Sequence, residues 1–113
     1  MIDFMQCEAS ITHHSNNGND VIYSGNIDLD DSGMFNASLH LPEGMVGTYL
    51  HVDGAVYLND DMPHLKIYGN MQTPQGLSTG TFVYDIEGTI EDDKIVFNHS
   101  SNSEDIKFSL RSE

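Results

Sequence analysis

The hexapeptide DLDDSG, residues 28–33, can be read in two ways, and the choice decides the fold of the whole chain. One reading is the first half of a calcium loop. Asp28, Asp30 and Ser32 fall at alternate positions, and Gly33 stands where such a loop turns sharply. The second half does not follow, because the twelfth loop position is Leu39 where a bidentate Glu is required. The other reading is a tight turn. Ile27 precedes the hexapeptide, Leu29 lies within it, and Phe35, Ala37 and Leu39 follow it, all at every second position. That period belongs to strands with one dry face, so DLDDSG is read as a hairpin turn between two of them.

The same alternation runs through nearly the whole chain, broken by Gly, Pro, Asn and Asp clusters. It predicts eight strands, at about residues 2–12, 21–29, 34–41, 48–58, 64–71, 77–90, 94–99 and 106–111. Connecting turns are HSNNGND, DDSG, PEGMVG, NDDMP, QTPQG, EDD and SSNSED. Dry positions include Val21, Tyr23, Ile27 and Leu29 in the second strand and Leu50, Val52, Val56 and Leu58 in the fourth. In the sixth they are Phe82, Tyr84, Ile86 and Ile90. Polar residues separate them, as in antiparallel strands with one wet face.

Short turns make sequence neighbours pair, so the expected fold is all-β. About eight antiparallel strands in up-and-down meander order would form a small closed or nearly closed barrel. A two-sheet β-sandwich is the alternative. Gly25, Gly54, Gly69, Gly80 and Gly88 fall inside strands on the dry side, where glycine marks bends or close backbone approach. In shape alone such a barrel resembles the lipocalin group. The Gly-x-Trp signature of that group is missing, since the chain has no Trp. The 113 residues are read as one all-β domain, 1–113.

Charge bounds the partners. There are 18 acidic residues against 4 basic ones, a formal net charge of −14. Residues 1–65 hold ten carboxylates and no Lys or Arg. Phosphate recognition rests on Lys and Arg, so direct contact with nucleic acid or with an anionic membrane is not expected. A basic protein surface is. The lone cysteine, Cys7, permits no internal disulfide and reads as a small buried side chain. The first ten residues have no basic region of the kind that opens a secretory signal, and no apolar run is long enough to span a membrane. The expected location is cytoplasmic.

The Asp pairs Asp30–Asp31, Asp60–Asp61 and Asp92–Asp93 recur at spacings of 30 and 32 residues, two strands and two turns apart. In a meander, the turns after the second, fourth and sixth strands share one end. Asp30, Asp31, Asp60, Asp61, Glu91, Asp92 and Asp93 would gather there, with Asp28, Asp53, Asp85 and Glu87 on outward faces nearby. These are the candidate partner-binding carboxylates. His40, Tyr49, His51, Tyr57 and Tyr68 share a wet face over strands three to five, a second contact surface for a partner or for another copy of the chain. His13 and His14 lie in a polar turn and read as solvated.

No histidine spacing is diagnostic of zinc, and no cofactor or resident metal is expected. Weak calcium binding across several acidic turns stays open. Nucleophile-elbow, zincin, phosphate-loop and CxxC motifs are lacking, so the chain is not read as an enzyme. The expected function is a non-catalytic acidic protein-binding module. In its sharper form it is an inhibitor or regulator that meets a basic, nucleic-acid-binding surface by charge mimicry. The alternatives are a small-molecule-binding, lipocalin-like barrel and a structural homo-oligomer using the Tyr/His face.

Overall fold

The computed structural model describes residues 4–15, 18–42 and 47–112. Eight antiparallel strands follow one another: β1 (Phe4–His13), β2 (Val21–Ile27), β3 (Met34–Leu39), β4 (Tyr49–Asn59), β5 (Met62–Gln72), β6 (Ser78–Glu91), β7 (Lys94–Ser100) and β8 (Glu104–Ser112). Their spatial order is β2-β1-β8-β7-β6-β5-β4-β3. Each strand pairs with its sequence neighbour, β1 also pairs with β8, and only β2 and β3 fail to form a ladder. The product is a meander curled into a nearly closed barrel, with its seam between β2 and β3. The sandwich is set aside. Residues 16–17 of HSNNGND and 43–46 of PEGMVG lie outside the described residues.

The interior follows the alternation. Cys7, Ile11, Tyr23, Ile27, Leu39, Leu50, Val52, Leu65, Ile67, Phe97, Ile106, Phe108 and Leu110 are buried and fill the barrel. Burying such side chains stabilises the fold by about 1.5–3 kcal/mol each, relative to leaving them exposed. Burial also pushes the Cys7 thiol well above the ordinary range, so it stays protonated and inert. Most outward positions are polar, with exposed apolar exceptions that include Ile22, Met34 and Val83. Among the described residues no helix is long and apolar enough to cross a membrane.

Strand glycines mark close approach, as expected. At Gly69 an added Cβ would lie 2.2 Å from Phe82 Cζ, since the ring covers the backbone of β5. Gly33 is needed twice over. Its φ is +87°, and a Cβ there would meet the Val56 carbonyl at 2.4 Å. Its own carbonyl accepts a 2.9 Å bond from Val56 N–H, which staples the β2–β3 turn to β4.

Two dry-face assignments need correction. Leu58 and Ile90 are 61% and 66% exposed. The cause is strand length. Pairing of β4 with β3 ends at Met34–Ala55, and pairing of β6 with β5 ends at His64–Glu87. Beyond those points the hairpin tips project past the barrel, so an inward parity no longer has an interior to face.

Candidate functional site on the acidic outer face

The DLDDSG turn is held by its own side chains. Asp30 Oδ1 accepts from Ser32 N–H at 2.9 Å, Ser32 Oγ at 2.7 Å and Met34 N–H at 2.9 Å. The Ser32 hydroxyl bond, then the Met34 amide, hold the Asp30 carboxyl below the usual carboxylate range. Asp60 and Asp61 close the β4–β5 hairpin with φ of 52° and 65°, the left-handed pair of a two-residue turn. Asp92 and Asp93 close the β6–β7 hairpin, where Lys94 Nζ lies 3.6 Å from Glu91. Meander order puts these three turns at one end of the barrel, as the sequence implied.

Strands β3 to β6 present the remaining candidates in rows. The register aligns Asn36, Asp53, Tyr68 and Val83 across the four strands, then Met34, Ala55, Lys66 and Asp85. Tyr57 and His64 follow as the next pair, with rings stacked at 5.4 Å. Tyr57 Oη donates to Asp85 Oδ2 at 2.8 Å, and His64 Nδ1 stands 3.5 Å from the other oxygen. Glu87 is opposite His64. Asn36 Nδ2 donates to Asp53, whose second oxygen is 3.5 Å from His51 Nε2. His40 and Tyr49 lie further along, towards the other end; His40 pairs through its backbone with Ser24.

These rows border an open groove of about 740 Å³ running from the β2–β3 turn across β4 to β6. Asp28, Asp30 and Asp53 supply carboxylates; Met34, Tyr68 and Val83 supply exposed apolar surface. A second groove, about 440 Å³, lies beyond the turn over Val56, Pro63 and Ile95. Asp30 borders both. The other cations sit away from this face: Lys94, Lys107 and Arg111 are on β7 and β8. Lys66 is the basic residue within it, and among the described residues it makes no ion pair.

Sequence reasoning missed a polar cluster inside the opposite end. Glu104 is only 4% exposed. It accepts from Tyr84 Oη at 2.6 Å and from His13 Nδ1 at 2.9 Å. The Tyr84 hydroxyl is raised above its ordinary range, first by burial and then by its bond to Glu104. His99 packs on the Tyr84 ring at 4.2 Å, and its buried Nε2 has no hydrogen-bond partner among the described residues. His13 and His14 are therefore not simply solvated. His14 Nδ1 is 3.1 Å from Asp20, and its Nε2 is 3.0 Å from Asp105. The signal was an inward parity that His13, His99 and Glu104 share with Tyr84, itself already read as dry; it was hidden because His13 and Glu104 fall in stretches read as polar turns.

Among the described residues, no group of three or more His, Cys, Asp or Glu side chains is placed to hold a metal ion. Comparison of the chain with protein-family models, with curated proteins and with solved structures finds no match.

Proposed function

We propose that this chain is a non-catalytic binding module whose acidic outer face docks a basic protein surface. The observation that carries the reading is the groove, where Asp28, Asp30 and Asp53 surround exposed Met34, Tyr68 and Val83. Carboxylates alone would be a solvated face. Carboxylates around exposed apolar side chains combine the steering charge and the desolvated centre that protein interfaces use. In its sharper form the partner is a nucleic-acid-handling protein whose basic site is occupied by charge mimicry.

Two features weigh against the alternatives. The barrel interior is filled by its own side chains, which leaves little room for an internal small molecule. Glu104, Tyr84 and His13 spend their hydrogen bonds on one another inside the barrel, which suits a structural role better than a catalytic one.

The test is capture from host lysate at low salt, identification of the bound protein, and reconstitution from purified components. Affinity is expected to fall steeply as salt rises, because the attraction is between exposed charges. It is also expected to fall in a Met34→Ser, Val83→Ser variant. A purified complex indifferent both to salt and to that variant would refute docking on this face.

A further inference from the structure

We infer that the groove beside the β2–β3 seam is a slot for one long cationic side chain, Arg or Lys, carried on an extended segment of the partner. The inference rests on the docking reading above and names what that face grips.

The seam supplies the first argument. Ser24 and His40 exchange backbone bonds of 3.0 and 3.2 Å, and Asp30 N–H bonds the Met34 carbonyl at 2.9 Å. Those two contacts share one register. Continued between them, it would join Asn26 to Ser38 and Asp28 to Asn36, yet no ladder forms there. The hairpin is thus closed at both ends and open in the middle. By strand alternation, the backbone carbonyls of Asp28 and Asn36 face that opening, ready to accept from a donor.

Shape supplies the second. In the row Met34, Ala55, Lys66, a methyl group stands between two long side chains, and this lowers the groove floor. Beneath it the Phe35 ring lies against Gly54, where a Cβ would be 2.9 Å from Cζ. An apolar floor of this kind suits the methylene stem of Arg or Lys. The groove, at about 740 Å³, exceeds one side chain and leaves room for flanking residues of the segment.

Charge supplies the third. The Asp28 side chain has no partner among the described residues, and Asp53 is oriented by Asn36. A planar guanidinium can bridge such acceptors, and Tyr68 offers a ring face for it to stack on. Lys66 on the same wall opposes the incoming charge. Its neutral replacement should tighten binding.

The probe is a blocked Ser-Leu-Arg-Val-Ser peptide titrated into labelled protein and followed by amide NMR shifts. Shifts are expected to cluster at Asp28, Asn36, Ala55 and Val83. Replacing Arg by citrulline, which keeps the shape and removes the charge, should weaken binding by about tenfold or more. Ala55→Leu, which fills the slot without touching charge, should weaken it similarly, and Lys66→Met should strengthen it. Shifts scattered over all the acidic turns, or equal binding by Ala55→Leu, would overturn the slot. If no peptide binds while the reconstituted partner still does, the slot is refuted and the docking reading stands. If the partner also binds an Asp28→Asn, Asp53→Asn, Met34→Ser variant as tightly as the native protein, both fall.

Discussion

Tyr84 Oη donates a 2.6 Å hydrogen bond to Glu104 Oε1, tying β6 to β8 inside the barrel across the intervening β7. With His13 on the other carboxylate oxygen, the pair converts an otherwise costly buried charge into a three-strand tie.

Tyr84→Phe is therefore expected to destabilise the fold by about 1–3 kcal/mol, since it leaves one Glu104 oxygen without its donor. Urea denaturation checks this. Glu104→Gln in the Tyr84→Phe background should recover part of the loss by removing the charge. No recovery would show that the cost does not come from an unpaired charge on Glu104.

Phe82→Ala should cost about 3–5 kcal/mol as a core truncation. Gly69→Ala should also destabilise, because its Cβ would meet the Phe82 ring. The two are coupled: Gly69→Ala is expected to be far less harmful once Phe82 is Ala. A double-mutant cycle measures that term, and simple additivity would show that the ring does not cover Gly69.

His14 reaches two carboxylates with its two nitrogens, and carboxylates only accept, so both bonds require the imidazolium. The bonds to Asp20 and then Asp105 raise the His14 pKa above 6.5. A raised folded-state pKa means that the contribution is fully present below the unfolded value. It is lost as pH climbs through the folded one. NMR titration of the ring should show the raised midpoint, and Asp105→Asn should lower it. An unshifted midpoint in the native protein would remove the clamp between the β1–β2 connection and β8.

Asp30 has the opposite sign. Its lowered pKa gives a contribution present above 3.8 and lost as pH falls through the folded-state value. Asp30→Asn should flatten that acid limb of the stability curve. Asp60→Asn and Asp61→Asn should be neutral or stabilising, since Asn suits left-handed turn positions and relieves like-charge repulsion. Loss of structure in the Asp60, Asp61 variant on thermal denaturation would mean that those carboxylates hold something in place.

Local pattern determined a great deal here. A side-chain period of two depends on each residue and its near neighbours alone, and turn chemistry on a few more. So eight strands, their order, most of the wet and dry faces and the three acidic turns were legible before any coordinates. DLDDSG was legible for the same reason, since Asp30 bonds within four residues of itself. Only tertiary structure decided the rest. Where a strand outruns its neighbour is a matter of register between distant segments, and it put Leu58 and Ile90 in water. Closure brought His13 beside Glu104, 91 residues away, and made a turn histidine part of a buried network. The open middle of the β2–β3 seam arises the same way, because barrel curvature, set by all eight strands together, determines which backbone groups go without a ladder.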